Sequence, residues 1–472
     1  MIDEPASVIR DLVAARKVSA REVLAAARER AALVNPAINA VVTFNDRAEA
    51  EAQAVDDAIA SGERPGLLCG LPVGIKDVTP VAGVRTTYGS PIYADHVPDE
   101  DALVVRRLRE AGAVILGKTN CPEFAAGGNT FNEVFGRTRN PWNPERSAGG
   151  STGGGAAALA TGIIALAEGT DLGGSLRIPA SFCGQVGLRP SVGLVPTVPS
   201  DWVWDTLQVT GPMARTAGDV ALMLEAIAGP GPEAPLAAPA AGRRFRTAVR
   251  DGVPRGLRVA YVADPARIGV NDEIDRICRD AAFGLGEAGA VVEEIDLDLS
   301  FARDAFFALR GLWFAAWMHD RMNRRDEFGP NVANNVKSGL ETPLARIAKA
   351  EADRGRLWRL CRDLFTRVDV VVTPTMAVPP FPVEQNYPET IAGKPMATYV
   401  DWIAPTFVWS LTGLPIGSVP AGRDAEGLPV GLQIAGPAMG EERVLSIAAE
   451  VERRRPIGLP DIGRLSVTRS QG

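Results

Sequence analysis

Two serines in glycine-rich segments are the first candidates for chemistry. Ser151 lies in GGSTGGG at 149–155, and Ser175 ends GTDLGGS at 169–175. Glycine is favoured where a backbone turns at positive φ or closely approaches a ligand, so both segments predict loops shaped for contact. The alanine-rich apolar segment between them predicts one buried helix. Either serine would be a weak nucleophile without a base to activate it.

Lys76 is the candidate base. It lies in PVGIKDV, an apolar frame in which desolvation favours the neutral amine. A base that works near neutral pH requires the lysine pKa to fall by roughly three units from about 10.4. The alternative is a surface lysine at a strand end, paired with Asp77. Taken alone, the residues around Lys76 favour that alternative.

Other catalytic arrangements have less support. The chain has only two histidines, His96 and His319, and neither is near a serine segment. A Ser-His-Asp triad or a zinc site would need distant assembly, so we expect no metal. The glycine segments lack the G-x-x-x-x-G-K-[ST] order and match G-x-G-x-x-G poorly, which gives nucleotide binding weak support.

The segment GTDLGGS has two interpretations. It is a tight turn in which Asp171 caps a helix and pairs with Arg177, or it supplies an oxyanion hole. Consecutive backbone amides from Leu172 to Gly174, just before Ser175, have the geometry that an oxyanion hole needs.

Composition narrows the class of protein. The 472 residues are 46% hydrophobic and 23% charged with a net charge of −7, which is typical of a globular protein and does not favour nucleic-acid binding. Five cysteines without C-x-x-C spacing indicate a reducing compartment and no disulfide framework. The N-terminus is acidic, and no apolar run reaches the roughly 18 residues of a membrane span, so we expect a cytoplasmic protein.

The elements that must position these residues predict an α/β fold. Ser19 and Glu22 form a capping box that starts a helix, and the run after Gly66 predicts a strand ending near Lys76. Helical and strand patterns then alternate, which favours a parallel or mixed buried sheet. The segments carrying this alternation are 101–118, 257–262, 272–288, 290–297 and 368–373.

Residues 303–360 predict helices with many aromatic side chains. We interpret these as a stripe facing the core, with a wall lining a substrate site as the alternative. The aromatic residues are Phe306, Phe307, Trp313, Phe314, Trp317 and Trp358.

Several motifs together resemble the amidase signature family of amide hydrolases. The motifs are GIKD at 74–77, KTN at 118–120, NPW at 140–142, GGSTGGGAAA from 149, GTDLGGSLRIPASFCG from 169, GPMART at 211–216 and LPVGLQIAGP at 428–437. They follow the family's order over nearly the whole chain. The resemblance implies a single compact domain, with a mixed β-sheet sandwiched between α-helices, and no cofactor. We take residues 1–65 as an N-terminal helical segment packed on the core, and 66–472 as the amidase signature domain.

The resemblance also implies roles for individual residues. Ser175 matches the nucleophile, Ser151 the bridging serine that follows a cis peptide bond, and Lys76 the base. The backbone amides that match the oxyanion hole are those of Leu172, Gly173, Gly174 and Ser175, and the supporting positions are Thr170, Asp171 and Arg177. Thr152 and Gly155 depart from the usual residues at their positions, and neither is a triad position.

Three functions remain open at this point. The chain is a stand-alone acylamidase that also accepts carbamates or esters, with carbamate hydrolysis as its alternative main activity. Otherwise it is the amidase component of a tRNA-dependent glutamine amidotransferase, or a member of the fold without activity. The amidotransferase component has a Ser-Ser-Leu-Asp run before its GP motif, whereas this chain has PSDWVWDTLQVTGPM from 199, with Trp202 and Trp204. This difference favours a hydrolase with an apolar pocket.

Further candidate substrate contacts follow from position in the family. They are Ala125, Ala126 and Gly127, whose small side chains leave room for a bulky acyl or aryl group. Four later aromatic residues either line the far wall of the site or belong to the core: Tyr399, Trp402, Phe407 and Trp409. We expect a small amide or carbamate substrate, no nucleic acid or membrane partner, and a chain that acts alone or as a homodimer.

Overall fold

Short apolar runs form the strands of this protein, as a computed structural model describes it for residues 1–466. The run VVVTP at 370–374, for example, is buried along its whole length. The strands, in chain order, are β1 Val41–Phe44, β2 Pro72–Lys76, β3 Val114–Thr119, β4 Phe131–Asn132, β5 Gly136–Arg137, β6 Leu166–Asp171, β7 Val186–Arg189, β8 Val209–Ala214, β9 Arg258–Tyr261, β10 Val291–Glu294, β11 Val370–Pro374, β12 Thr390–Ile391, β13 Lys394–Pro395, β14 Ile416–Arg423 and β15 Pro429–Ala435.

Helices cover this sheet on both sides. They are α1 Ala6–Ala14, α2 Ala20–Ile38, α3 Ala48–Ala60, α4 Leu103–Glu110, α5 Gly153–Ala160, α6 Arg177–Cys183, α7 Ala217–Ile227, α8 Phe245–Asp251, α9 Asp272–Gly284, α10 Ala302–Trp317, α11 Pro330–Glu341, α12 Leu344–Leu364, α13 Ala404–Ser410, α14 Glu441–Arg454 and α15 Ile462–Ser466. The predicted capping box is present: the Ser19 hydroxyl accepts the Glu22 amide, and the Glu22 carboxylate accepts the Ser19 amide.

Within residues 1–466, eleven strands form one mixed sheet, in the order β1-β3-β2-β6-β8-β7-β14-β15-β11-β9-β10. Strand β2 is parallel to both β3 and β6, whereas β6 and β8 are antiparallel. The parallel trio β3, β2 and β6 places the end of β2 beside the end of β6. The large mixed sheet between helices confirms the predicted α/β class.

The N-terminal segment differs in one respect from the helical prediction. Residues 41–44 form β1, which pairs antiparallel with β3 at the edge of the sheet. The β-branched run VVTF favours a strand here. The division of the chain at residue 65 stays a prediction.

The apolar core consists of two clusters. The sheet cluster packs strands β2, β3 and β6 against α5 and α7, and includes Ile75 and Val220. The wall cluster joins α10 to α13 and includes Phe306, Phe314 and Trp402. Across residues 1–466, no helix is both long enough and apolar enough to span a bilayer.

Candidate active site

Three predicted side chains reach one place through neighbouring elements. Lys76 is the last residue of β2, and Ser175 follows β6 in a short loop before α6. Ser151 precedes α5 by two residues. Ser151 and Ser175 both line one cavity. The Thr152 amide also donates to the Ser175 carbonyl oxygen at 3.2 Å, which ties the two serine loops together.

Lys76 contacts Ser151 directly. Its Nζ lies 2.7 Å from Ser151 Oγ, 3.0 Å from Thr170 Oγ1 and 3.4 Å from the Thr170 carbonyl oxygen. The Lys76 side chain is fully buried, so the surface-lysine interpretation is wrong. Asp77 does not pair with it: the Asp77 carboxylate accepts the Thr87 hydroxyl at 2.5 Å instead. The amine therefore has only hydroxyl and carbonyl partners.

Burial sets the charge of Lys76. Desolvation favours the neutral amine and lowers the pKa of Lys76 to about 8, although Cys121, Glu168 and Asp171 act in the opposite direction. A lysine with this pKa is partly neutral near pH 7, as a general base must be.

A buried glutamate accepts the Lys76 backbone amide, and a second buried lysine lies on the adjacent strand. One oxygen of Glu168, on β6, accepts the Lys76 amide at 3.1 Å, and the other accepts the Thr79 hydroxyl at 3.0 Å. Lys118, on β3, donates to the Thr79 carbonyl oxygen and to Thr86 Oγ1. Burial lowers the pKa of Lys118 to about 8 and raises the pKa of Glu168. Sequence reasoning missed Glu168; its signal was one acidic residue inside a buried strand.

A buried ion pair fixes the loop before Ser175. Arg177 donates through Nε and Nη2 to the two oxygens of Asp171, at 3.0 and 2.9 Å. Burial alone would raise the pKa of Asp171, but the charge of Arg177 and its hydrogen bonds outweigh burial and hold it well below its ordinary value. Arg177 also donates to the Thr406 carbonyl oxygen and to Gln433. The predicted pair of Asp171 and Arg177 is therefore present, whereas α6 begins at Arg177 without a side-chain cap.

The oxyanion-hole prediction needs one correction. The Gly174 amide donates to Asp171 Oδ1 at 2.8 Å, so it is not free for a ligand. The Asp171 carboxylate accepts a hydrogen bond from this amide because Asp171 lies only three residues earlier in the same tight turn. Within residues 1–466, the amides of Leu172, Gly173 and Ser175 donate to no protein group. These three remain candidates for an oxyanion hole beside Ser175.

Two glycines keep the serine loops in place. The peptide bond between Gly150 and Ser151 is cis. A Cβ on Gly150 would lie 2.8 Å from the Gly127 carbonyl oxygen, so a side chain has no room there. Gly174 has φ +125°, and a Cβ there would lie 2.3 Å from Thr406 Oγ1. Both positions require glycine.

The predicted substrate contacts are only partly brought together. Ala125 and Gly127 line the cavity with the serines, whereas Ala126 lies outside it, among the residues of a separate pocket. Trp202 lines a neighbouring cavity of about 160 Å³, which shares Thr170, Gln208 and Trp313 with the first. Trp204 lines neither cavity and is 63% exposed, since residues 203 and 204 form a turn at the surface.

The aromatic residues divide between wall and core. Trp313, Phe314 and Tyr399 line the cavity. Trp402, Phe407 and Trp409 are buried outside it, and Phe407 stacks on Phe306 with ring centroids 4.0 Å apart. Sequence reasoning missed the cavity's other polar residues, Gln208 and Arg310. The signal for Arg310 was a single charge within the apolar run FFALRGLWF.

Cysteine and histidine contribute nothing to this cavity. All five cysteines are free and buried. His96 and His319 are exposed and lie outside the cavity. In the described part of the chain, no group of three or more His, Cys, Asp or Glu side chains is arranged to hold a metal ion.

Comparison with known proteins agrees with this architecture. A family model described as Amidase matches residues 22–445. An acylamidase from Rhodococcus erythropolis is 36% identical over 451 residues, covering 94% of each chain. A glutamyl-tRNA(Gln) amidotransferase subunit from Moorella thermoacetica is 37% identical over 478 residues, covering 94% of this chain and 96% of its own. The crystal structure of a bacterial aryl acylamidase of the amidase signature family superposes with a TM-score of 0.91 at 28% identity, covering 99% of both chains.

Proposed function

The chain belongs to the amidase signature family, whose members hydrolyse amide carbon–nitrogen bonds, and we propose that it is a stand-alone acylamidase. In this proposal Ser175 is the nucleophile, Ser151 is the proton relay and Lys76 is the base. The observation that carries this proposal is the 2.7 Å contact between the fully buried Lys76 amine and the Ser151 hydroxyl, beside a cavity that Ser175 also lines.

Attack on the substrate begins with proton transfer. In the neutral amine, two N–H bonds point to Thr170 and the lone pair accepts the Ser151 hydroxyl proton. Ser151 in turn takes the proton of Ser175, whose oxygen attacks the amide carbonyl carbon. Lys76 ends this step as an ammonium, stabilised by the charges of Glu168 and Asp171.

The tetrahedral intermediate then needs stabilisation and a proton. The free amides of Leu172, Gly173 and Ser175 donate to its oxyanion, and each such donor contributes on the order of 3 kcal/mol in the transition state. The ammonium returns its proton through Ser151 to the leaving nitrogen, and the carbon–nitrogen bond breaks. Water repeats the sequence on the acyl-enzyme, which releases the acid and restores Ser175.

The walls of the cavity support an acyl or aryl amide as substrate. Phe124, Trp313, Phe314 and Ile403 form an apolar surface around the serines. Such walls suit an aromatic or alkyl group better than the polar side chain of glutamine. The tryptophan-containing stretch at 199–213, with Trp202 beside the neighbouring cavity, supports the same choice over the amidotransferase function.

A substrate panel tests this proposal. The purified chain, without any partner, is assayed with an anilide, a primary aryl amide, an aryl carbamate and glutamine. We expect hydrolysis of the anilide or aryl amide, with glutamine the poorest substrate. Turnover of glutamine alone, or activity only after an amidotransferase partner is added, would contradict the proposal and favour the amidotransferase function.

The pH profile should report Lys76. Since only the neutral amine accepts a proton, kcat/KM should rise about tenfold per pH unit below a pKa of about 8 and level off above it. The titratable groups that act on Lys76 are Cys121, Glu168 and Asp171. Glu168→Gln removes a negative charge that stabilises the ammonium, so the pKa of Lys76 should fall and the rising limb should move to lower pH.

Glu441→Gln is the control for this shift. Glu441 is equally buried but lies on α14, where it accepts the Ser191 amide at 2.7 Å. Its replacement is expected to leave the limb at the wild-type pH. If the rise of kcat/KM with pH stays in place in Glu168→Gln, or moves to higher pH, the Glu168 carboxylate does not set the pKa of Lys76.

A further inference from the structure

Arg310 is an unusual buried cation. It lies on α10, is 5% exposed, and lines the same cavity as Ser151 and Ser175. Its Nε donates to Asn335 Oδ1 at 2.9 Å, and its Nη2 donates to the Tyr399 hydroxyl at 2.7 Å. Both partners are neutral. Across residues 1–466, no carboxylate forms an ion pair with Arg310, and its Nη1 has no hydrogen-bond acceptor.

The other deeply buried arginines have a counterion. Arg177 and Arg189 are fully buried, and both pair with the Asp171 carboxylate, at 2.9 and 3.5 Å. A buried charge without an opposite charge is strongly destabilising, which is why proteins pair such groups. Arg310 instead has aromatic rings nearby: its guanidinium carbon lies 4.9 Å from the centroid of Phe314 and 5.6 Å from that of Tyr399. These contacts favour a cation but do not neutralise it.

A second donor lies beside the guanidinium. The Tyr399 hydroxyl oxygen accepts hydrogen bonds from both Arg310 and Asn335, so its own hydrogen has no acceptor within the described residues. Tyr399 lines the cavity as well. The guanidinium and this hydroxyl therefore offer two adjacent donors in a cavity whose walls are otherwise largely apolar. Planar guanidinium groups bind carboxylates with particular strength in such surroundings.

We propose that Arg310 is the binding site for a carboxylate of the substrate, so that the favoured substrates are amides carrying a free carboxylate at a distance from the scissile bond. This inference rests on the proposed function, because it assumes that Ser175 attacks a substrate in this cavity. The substrate supplies the counterion that the described residues lack. Glutamine also carries a carboxylate, but it remains a poor substrate because no described Asp or Glu lines the cavity to pair with its ammonium group. Its carboxylate fixes the orientation of the scissile amide relative to Ser175.

The experiment uses paired substrates. One series comprises the mono-4-nitroanilides of malonic, succinic, glutaric and adipic acid, and the other the neutral acyl 4-nitroanilides of equal length with a terminal methyl group. The four lengths cover a range of reach between the reacting carbonyl and Arg310. For at least one length, the wild-type kcat/KM for the acid is expected to exceed that for its neutral partner by roughly tenfold or more.

The ratio of kcat/KM for the acid to kcat/KM for its neutral partner does not depend on how much of a variant folds, since the same folded molecules process both substrates. In Arg310→Gln this ratio should fall to about one or below. Arg310→Lys keeps the charge but not the fork of donors, and should retain part of the preference. Arg321→Gln is the matched control: Arg321 lines the neighbouring cavity and pairs with Asp201 at 3.1 Å. Its ratio should equal that of the wild type.

The outcomes distinguish this inference from the proposed function. If the wild type hydrolyses neither series, the proposed function fails. If it hydrolyses the neutral anilides as well as the acids at every length, the function stands and the carboxylate site is overturned. An equal fall of the ratio in Arg310→Gln and Arg321→Gln would also overturn it, because the preference would then come from the general charge of the region.

Discussion

Replacing Ser175 with alanine is expected to lower kcat roughly 10⁵- to 10⁶-fold, because catalytic residues that act as a unit lose most of their effect when one is removed. The fold should not change. The Ser175 hydroxyl makes no hydrogen bond within the described residues, and its carbonyl oxygen, which accepts the Thr152 amide, is retained. Stopped-flow measurement of anilide hydrolysis, with the melting temperature as a check on folding, gives the result.

Two further measurements make this prediction specific. An aryl carbamate should leave a carbamoyl group on the wild type, and the mass increase should map to the peptide containing Ser175. Ser446→Ala is the control, since that serine lies on α14 and its hydroxyl donates to the Arg443 carbonyl oxygen. The prediction fails if Ser175→Ala keeps more than a small fraction of wild-type kcat, or if the carbamoyl group appears on another residue.

Replacing Lys76 with methionine is expected to lower kcat/KM on the order of 10⁴-fold or more, since it removes the base and keeps the length of the side chain. Lys76→Arg separates charge from basicity. A guanidinium stays protonated at every accessible pH, so it cannot accept the Ser151 proton. Both variants should show only this residual kcat/KM across the pH range, without the rise that the wild type shows below a pKa of about 8.

Lys118 offers a matched control for Lys76. It is fully buried on the adjacent strand and also has a pKa of about 8, but its amine bonds to Thr79 and Thr86 rather than to a serine. Lys118→Met should therefore cost far less activity per folded molecule. If Lys76→Arg retained a substantial rate, or if Lys118→Met were equally inactive, the base would not be Lys76.

Much of the local structure follows from the sequence because its signals are short-range. The run before Lys76 predicts a strand that ends there, and β2 does end at Lys76. The pairing of Asp171 with Arg177 lies within one turn, so spacing alone suggests it. The capping box at Ser19 and Glu22 is local in the same way. Where residue types and spacing determine a contact, sequence reasoning succeeds.

Contacts between distant segments are harder to predict. Glu168 acts on Lys76 only because β6 pairs with β2, and the order of eleven strands cannot be derived from apolar periodicity. Sequence reasoning assigns the Gly174 amide to an oxyanion hole. The spacing of the residues does not show that this amide donates to the Asp171 carboxylate instead. Arg310 lies in an aromatic helix that looks like core, and its missing counterion is visible only with Asn335 and Tyr399 in place.

The division of the core into two clusters has a consequence for how new substrate ranges arise. The proposed reacting groups lie between residues 76 and 175, on strands and loops packed mainly by the sheet cluster, although Leu172 beside Ser175 belongs to the wall cluster. Much of the surface that faces the substrate, including Arg310 and Tyr399, comes from the wall cluster more than a hundred residues later in the chain. Mutations at Arg310 or Tyr399, whose hydrogen bonds go to neither Lys76 nor the serines, can thus change recognition without breaking the proton relay. Within one scaffold, selection can diversify recognition while the chemistry is inherited unchanged.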